Sequence, residues 1–343
     1  MKRLLCVLIT LQLITAFGLY AQNSGIAFRA YESRMNGNPE MALSLLDSAL
    51  KVTPDNAELW FEKGRCLDWI KLQNCKKFTD VWRILKPTLK DCRYCFRKAC
   101  HYEPGNARYH YWAGQNAMTI ALVEFYTPWE WLLIPGVMNS AVKHLKKSVL
   151  LNPVNPEYRY NLINVLHFGW LLSGNRKLAL LHTDTISETD PVYGVMAKEL
   201  METGKQPYDP YPEYRKLLQS DPDNIRLLSE VAALYSRKGD SCRDTAIAMY
   251  RRILELEPDN INALKRLYWT VPASDKDLVV PYILSYFRAV DNNYNYYTAS
   301  GMQLLATYLK QLHDEQRGAV LSLAAERLHP DNYGTFINDI GPP

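Results

Sequence analysis

The amino-acid sequence predicts an all-α protein, built as a solenoid of stacked helix pairs. Three observations support this: a Pro-x-Asn tripeptide recurs along the 343 residues, apolar residues stand at fixed distances before it, and its spacing fits one repeat length. Repeats of that length bury their apolar faces against neighbouring repeats. With 48% apolar and 22% charged residues, the chain can form such a core and is not intrinsically disordered. No strand is needed in this architecture.

The first residues have the three-part form of a secretory signal. A basic pair precedes the apolar run 4–17, and small residues follow near Gly18 and Ala21. We predict a signal peptide over residues 1–21 with cleavage after Ala21, and cleavage after Gly18 is the alternative. An uncleaved anchor is disfavoured because the run is shorter than the about 20 residues of a spanning helix. The mature chain is therefore expected to be exported to the periplasmic or extracellular space.

Six Pro-x-Asn tripeptides, here called marks, punctuate the chain. Proline disfavours helix at the residue before it, and an asparagine side chain accepts hydrogen bonds from the free N–H groups of a helix start. Each mark is predicted to end one helix and begin the next. Successive prolines are 50, 49, 69, 36 and 72 residues apart, which indicates a unit near 34 to 36 with insertions and two missing marks. The prolines are Pro54, Pro104, Pro153, Pro222, Pro258 and Pro330.

The segment before four of these marks repeats one pattern of small and large residues. They stand twelve, eight and five positions before the proline. They are Ala42, Leu46, Ala49, Cys92, Phe96, Ala99, Ala141, Leu145, Ser148, Ala246, Tyr250 and Ile253. An array of helix pairs buries its apolar faces between neighbours, so these residues are predicted core positions.

Glycines follow two of the marks at a fixed distance. Gly64 and Gly114 stand ten residues after Pro54 and Pro104, where only a small residue lets two helices approach closely, and Trp60 precedes Gly64 by four. Together with the core positions, this pattern resembles the tetratricopeptide repeat (TPR) family, whose unit is a helix pair with Trp, Gly, Ala, a large apolar residue, Ala and Pro in these places. The resemblance implies a right-handed superhelical solenoid.

The two missing marks can be partly recovered. An Asp-Pro pair at 190–191 divides the longest inner gap, with Ala179 twelve residues before its proline, and an Asp-Asn pair at 291–292 divides the last gap. The sequence then predicts about eight TPR-like helix-turn-helix hairpins in one repeat domain, residues 22–332. Residues 333–343 form a tail that is too short for another helix pair.

Two repeats are longer than the unit, and their extra residues are predicted to lie inside hairpins, near 70–88 and 124–138. The first insertion belongs to the stretch 63–101, which has eleven Lys or Arg against three Asp, a net charge of +8. We interpret it as a solvated basic face, with docking to an acidic partner or to anionic lipid headgroups as alternatives. The formal charge of the whole chain is only +4, which does not favour nucleic-acid binding.

The second insertion is apolar. Its loop, 125–136, carries Trp129 and Trp131, and paired tryptophans often anchor interfaces. Prolines and polar residues in and around the loop disfavour a membrane-spanning helix, so we predict a loop that packs on the solenoid or contacts a partner. Peripheral membrane contact is a further alternative.

The cysteines of the mature chain are clustered. Five of the six fall in one short stretch: Cys66, Cys75, Cys92, Cys95 and Cys100. An oxidising compartment permits a local disulfide, but the pairing cannot be deduced from sequence, and buried thiols are the alternative. Their spacing does not match a closed four-ligand zinc pattern, and the strand-helix-strand context of a redox pair is missing. We therefore predict no metal site and no cofactor.

The sequence carries no recognisable catalytic motif. None of the seven histidines belongs to a His-Glu-x-x-His pattern or lies near a Gly-x-Ser-x-Gly elbow, and there is no Gly-rich phosphate loop. His182 and Asp184 form the only local His/Asp pair, which we interpret as a surface pair. We predict no catalytic residues and no enzyme activity.

The TPR resemblance implies instead a scaffold whose first helices line a concave groove that binds a protein or peptide. With Trp129 and Trp131 of the loop, the family's groove positions give the predicted partner-binding residues. The groove positions are Glu58, Phe61, Arg65, Asp68, Arg108, Tyr111, Gln115, Met118, Arg226, Ser229, Asn262 and Lys265. They do not reproduce the lysines and asparagines of chaperone-binding members, which puts capture of a C-terminal peptide in doubt.

The predicted function is therefore a non-catalytic protein-interaction scaffold of the cell envelope or secreted space. The alternative is capture of a glycan or small ligand, because 23 Tyr and 8 Trp could stack on sugar rings. The partner's identity and the oligomeric state are not predicted.

Overall fold

The computed structural model describes residues 25–34, 38–70, 85–125, 130–168, 175–202, 209–237, 239–271, 280–283 and 285–286. The regular secondary structure of these residues is helical, with no strand, which confirms the predicted all-α class for this part of the chain. Several predictions fall outside the described residues: the signal peptide, the mark at 291–292, the C-terminal tail, Cys75 and Trp129.

The helices follow one another with short connections at the marks. In chain order they are α1 (25–34), α2 (Pro39–Val52), α3 (Ala57–Ile70), α4 (Lys86–Tyr102), α5 (Ala107–Phe125), α6 (Ile134–Leu151), α7 (Pro156–Phe168), α8 (Arg176–Thr189), α9 (Pro191–Glu202), α10 (Tyr211–Ser220), α11 (Ile225–Arg237), α12 (Arg243–Leu256) and α13 (Ile261–Thr270). A short 3₁₀ turn, Asp240–Cys242, precedes α12.

Asparagines of the marks cap the helices that follow them, as predicted. The Asn56 side chain accepts a hydrogen bond from the backbone N–H of Leu59 at 3.0 Å, which satisfies one free donor of the first turn of α3. Asn155, Asn224 and Asn260 make the same bond to the residue three positions later, at 3.2, 3.0 and 3.0 Å. Asp190 does so at the degenerate mark, at 3.1 Å from the N–H of Tyr193. The same capping hydrogen bond therefore occurs at five helix starts.

The twelve predicted core positions are all buried, none more than 7% exposed. The two predicted glycines lie where helices touch. A Cβ atom on Gly64 would stand 2.7 Å from the Phe96 ring, and one on Gly114 would stand 2.6 Å from Cγ of Leu145. Because real Cβ atoms do not approach so closely, the glycines permit α3 to contact α4 and α5 to contact α6. These contacts confirm the TPR-like helix pair.

The described residues form two compact units. Unit 1 ends at Pro153 and contains α1 to α6. One of its apolar clusters joins α1, α2 and α3 around Leu46 and Leu59, and another joins α3, α4 and α5 around Phe96 and Tyr109. Successive helices therefore share one continuous core, as in a repeat array.

Unit 2 begins at Val154 and contains α7 to α13. One apolar cluster joins α9, α10 and α11 around Tyr214, and another joins α11, α12 and α13 around Tyr250. A close contact that the sequence pattern did not reveal lies at Gly194, where a Cβ atom would stand 2.6 Å from Cα of Ser187. Here α9 approaches the backbone of α8 itself.

The described cysteines of the basic stretch are buried in unit 1. Burial raises the pKa of Cys66, Cys95 and Cys100 to about 12, so these thiols stay protonated at neutral pH. The sequence left a local disulfide and buried thiols as alternatives. These three cysteines are buried, free thiols. Among the described residues, no helix is both long enough and apolar enough to cross a membrane.

Candidate functional site

A cleft of about 520 Å³ lies on the first helices of the repeats in unit 1. Its wall consists of side chains from α1, α3 and α5, together with Glu103 and Asn106 at the mark between α4 and α5. These are the helices that line the groove in the predicted architecture. Two predicted groove residues, Glu58 and Arg108, are part of the wall.

The Glu58 carboxylate of α3 links side chains of the cleft wall by hydrogen bonds. Arg108 donates from one guanidinium nitrogen to both oxygens of Glu58, at 2.7 and 2.8 Å, and the Tyr109 hydroxyl donates to Oε2 of the same carboxylate. The Arg108 guanidinium also lies over the Phe61 ring, 4.4 Å from its centroid. Burial, the hydrogen bond to Glu58 and the charge of Glu58 all raise the pKa of Tyr109. The hydroxyl therefore remains a hydrogen-bond donor across the physiological range.

A second ion pair lies at the base of the cleft. Arg34 of α1 donates to Oε2 of Glu62 at 3.2 Å, and the two side chains are only 3% and 5% exposed. Burial raises the pKa of Glu62, although the neighbouring Arg34 acts in the opposite direction. The sequence pattern did not reveal either residue, because an ion pair 28 positions apart is not visible as a motif.

Two predicted groove residues belong to the core. Phe61 is 2% exposed and stacks on the Tyr109 ring at 4.9 Å, and Tyr111 is 6% exposed. Their burial corrects the prediction that they face a partner. The physical reason lies in the next helix: the ring of Tyr109 and the guanidinium of Arg108 cover Phe61, and a position in one helix cannot reveal what its neighbour places over it.

The remaining predicted residues of α3 and α5 contact one another or their neighbours. The Arg65 guanidinium lies 3.3 Å from the centroid of the Trp112 ring and 3.9 Å from Oδ2 of Asp68. Gln115 donates to the Tyr111 hydroxyl at 2.9 Å. None of these residues lines the cleft.

Exposed aromatic rings line the cleft on the side of α1. Phe28 and Tyr31 are 58% and 42% exposed, and their rings stack at a centroid distance of 6.3 Å. The carboxylate of Glu103, also exposed, is contacted by Asn106 at 3.4 Å. Because α1 precedes the first mark, no groove residue could be assigned to it from the repeat pattern.

Unit 2 carries a related but simpler arrangement. Arg226 stands two residues after its capping asparagine, as Arg108 does in unit 1, and its guanidinium lies 4.5 Å from the centroid of the Tyr193 ring. Ser229 and Lys265 are half-buried, and Asn262 is exposed. Burial, with Arg266 adding like charge, lowers the pKa of Lys265 to about 8.

The described part of the second insertion forms an exposed apolar tip between α5 and α6. We call Phe125, Trp131, Leu132 and Leu133 the apolar tip; each is more than half exposed, and Leu132 is 91% exposed. The Trp131 ring stacks on Phe125, and its Nε1 donates to the Phe125 carbonyl at 2.7 Å. These two contacts fix the position of the Trp131 ring against Phe125.

Three residues of unit 1 offer ligand atoms for a metal. Cys100 of α4, His110 of α5 and His144 of α6 have ligand atoms that all lie within 4.8 Å of one another. Burial lowers the pKa of both histidines, with that of His144 at about 4, so both rings are neutral at pH 7. No metal was predicted here, because the three residues are far apart in sequence and match no ligand spacing.

Comparison with known proteins gives similarity to solved helical-repeat structures. No protein-family model matches the chain, and no curated protein matches it. YrrB, a TPR protein with an unusual peptide-binding site, is 17% identical over 70% of this chain and 89% of its own, with a TM-score of 0.35. A human IFIT1 dimer with m7Gppp-AAAA is 16% identical over 90% of this chain and 78% of its own, with a TM-score of 0.46.

A third similar structure is much longer than this chain. It is a mutant O-GlcNAc transferase from Thermobaculum terrenum, which is 17% identical over 51% of this chain, with a TM-score of 0.36. The matched part covers 28% of that transferase.

Proposed function

We propose that this protein is an exported, non-catalytic scaffold that binds an extended segment of a partner protein in the cleft of unit 1. The observation that carries the proposal is the combination of exposed rings on α1 and an exposed carboxylate at the mark between α4 and α5. Phe28 and Tyr31 offer apolar contact area, and Glu103 offers a charge at the rim.

The charges of the cleft indicate the chemistry of the segment. Three carboxylates line it, those of Glu58, Glu62 and Glu103, against one guanidinium, that of Arg108. Glu58 is engaged by Arg108 and Tyr109, and Glu62 by Arg34, which leaves Glu103 as the carboxylate best placed for a new ion pair. A segment with a Lys or Arg beside an apolar residue therefore suits the cleft best.

The apolar tip supplies a second contact in this proposal. The tip exposes four apolar side chains, three of them consecutive, and such a patch often marks an interface. A tryptophan that already makes a hydrogen bond loses little entropy on binding. Replacing Trp129 and Trp131 with alanine should weaken partner binding and leave the helical content unchanged. A loss of folding would instead show that the tip belongs to the core.

Photo-crosslinking in the native cell envelope tests the proposal. A photoreactive phenylalanine analogue at Tyr31 should crosslink one or two proteins, whereas the same analogue at Leu181, which is 60% exposed on α8, should not. Crosslinking from Leu181 to the same proteins, or none from Tyr31, would contradict binding in the cleft.

Glycan or small-ligand capture is the second candidate, because the stacked Phe28 and Tyr31 rings stand beside carboxylates that can accept from sugar hydroxyls. Titration with oligosaccharides by calorimetry separates the two candidates. Saturable binding heat in the wild type that disappears in Tyr31→Ala favours glycan capture. No binding heat with the wild type favours the protein segment.

Export is part of the proposal and rests on the sequence of residues 1–21. N-terminal sequencing of the protein isolated from the periplasm or medium should give a start at Gln22. A chain that begins at Met1 and stays with the cytosolic fraction would refute it.

A further inference from the structure

The side chains of Cys100, His110 and His144 meet in the core of unit 1, away from the cleft wall. They come from three successive helices on both sides of the mark at Pro104. Their ligand atoms lie within 4.8 Å of one another. Neither the cleft nor the apolar tip involves them, so the scaffold function leaves the cluster unexplained.

The orientation of His110 is fixed by the mark itself. Its Nε2 lies 3.1 Å from the carbonyl oxygen of Pro104, which can only accept, so Nε2 carries the hydrogen. In the neutral ring Nδ1 then has a free lone pair, and it faces Nδ1 of His144 at 2.9 Å. A histidine that donates its second nitrogen to a backbone carbonyl is the usual arrangement of a metal ligand.

The three ligand atoms lie within 4.8 Å of one another, a spacing that small shifts could bring to that of a tetrahedral zinc site. Zinc binds histidine nitrogen at about 2.0–2.1 Å and cysteine sulfur at about 2.3 Å, which places the ligand atoms about 3.3 to 3.6 Å apart. The two Nδ1 atoms need to separate by only about 0.4 Å from their present hydrogen bond. We propose that Cys100, His110 and His144 form a three-ligand site for Zn²⁺, with a water as fourth ligand.

Zinc binding at this site moves protons but transfers no electrons. The Cys100 thiol loses its proton to solvent and bonds to zinc as the thiolate. The hydrogen that His144 holds on Nδ1, shared with His110, moves through solvent to its own Nε2, so the imidazole stays neutral and its Nδ1 lone pair bonds to zinc. One proton is released for each zinc bound.

Basic residues surround the site and weaken the attraction for a dication. Arg93, Arg97 and Lys143 lie close enough to His144 to act on it electrostatically, and Lys147 acts on His110. The thiolate of Cys100 offsets one charge of the metal, so the cysteine is expected to contribute more to affinity than either histidine. The zinc-loaded site would join α4, α5 and α6 at one point.

Cobalt and zinc titrations of the reduced, metal-free mature chain test the site. Co²⁺ should bind in a 1:1 ratio with a thiolate charge-transfer band and the intense visible bands of tetrahedral coordination, and Zn²⁺ should abolish both. In Cys100→Ser the charge-transfer band should vanish, and zinc affinity should fall by at least about tenfold.

Two matched variants control the experiment. Cys95→Ser removes another buried thiol of α4, and His101→Ala removes an exposed neighbouring histidine; both should bind zinc as the wild type does. If Cys100→Ser loses its circular dichroism, His144→Gln replaces it, with a smaller expected loss of affinity. Unchanged zinc binding in a folded Cys100 or His144 variant, or no 1:1 binding by the wild type, would overturn the proposal.

Discussion

Units 1 and 2 each contain an arginine–glutamate ion pair of the same length in opposite surroundings. Arg34 and Glu62 of unit 1 lie 3.2 Å apart at 3% and 5% exposure, and Arg237 and Glu199 of unit 2 lie 3.2 Å apart at 65% and 32% exposure. Distance alone therefore says little about energy. Burial removes the screening by water and makes each charge of the first pair dependent on the other, whereas water replaces either partner of the second.

The two units differ in the same way at one equivalent position of their repeats. Arg108 and Arg226 both stand two residues after a capping asparagine, and both lie over an aromatic ring. In unit 1 the carboxylate of Glu58 also holds the guanidinium, at 2.7 and 2.8 Å. The cleft wall of unit 1 is therefore preorganised by charges, and the matching surface of unit 2 is held by stacking.

The largest expected difference between the units comes from removing one arginine of each pair. Arg34→Met leaves Glu62 buried without its counter-charge, and we expect a loss of about 3–5 kcal/mol in the free energy of unfolding. Arg237→Met should cost about 0–1 kcal/mol, because its pair is exposed. Urea unfolding of the full chain at pH 7 measures both. Equal losses would show that burial does not separate the two pairs.

A smaller difference is expected at the helix contacts. In Gly194→Ala of unit 2 the new methyl group meets the backbone of Ser187, which cannot move aside, so we expect a loss of about 2–3 kcal/mol. In Gly64→Ala of unit 1 the new methyl group meets the Phe96 ring. Because the ring can shift, we expect a loss of only about 1 kcal/mol in the free energy of unfolding.

Gly136→Ala is the matched control for these glycines. It lies in α6 with open space where the Cβ would stand, so it should gain about 0.5–1 kcal/mol from helix propensity. The three variants are compared by their urea midpoints. A Gly194→Ala variant as stable as the control would contradict the close approach of α8 and α9.

The raised pKa of Glu62 predicts a pH dependence of stability in unit 1. Burial raises its pKa in the folded chain above the ordinary value of 4.5, so folding favours protonation of this carboxyl relative to the unfolded chain. The stability that it contributes is present below pH 4.5 and is lost as the pH rises through the raised pKa. Glu62→Gln removes this titration, so the stability of the wild type relative to the variant should fall as the pH rises from about 4 to about 7.

Unfolding curves of the wild type and Glu62→Gln across this pH range measure the effect. Glu199→Gln in unit 2, which replaces a partly exposed carboxylate, is the matched substitution. A wild type that gains stability over Glu62→Gln as the pH rises would show that attraction to Arg34 outweighs burial.

The smallest effects are expected at the two arginines over aromatic rings. Arg108→Ala loses the bonds to Glu58 and should cost about 1 kcal/mol, reduced by its partial exposure. Arg226→Ala loses its stacking on Tyr193 and an electrostatic interaction with Glu230, and should stay within about 0.5 kcal/mol of the wild type. Thermal unfolding of both variants measures the difference in their stability. The reverse order would contradict the greater preorganisation of unit 1.

The sequence predicted what depends on local chemistry. Asn56 and Asp190 cap helices because a side-chain oxygen can reach the third N–H along the chain, and Gly64 is small because its own repeat requires it. Features that depend on a neighbouring repeat were missed. The Arg34–Glu62 pair and the burial of Phe61 arise where different repeats meet, and no spacing within one repeat encodes them.

Binding of a partner segment in the cleft of unit 1 is tested most directly by a charge reversal at its exposed carboxylate. A peptide selected by display against the mature chain is titrated into the wild type, Glu103→Lys and Glu188→Lys, the last an equal charge change on the exposed surface of α8. We expect a peptide with basic and apolar residues, a loss of at least about tenfold in affinity for Glu103→Lys, and no change for Glu188→Lys. Equal affinity for all three proteins would contradict the cleft as the binding surface.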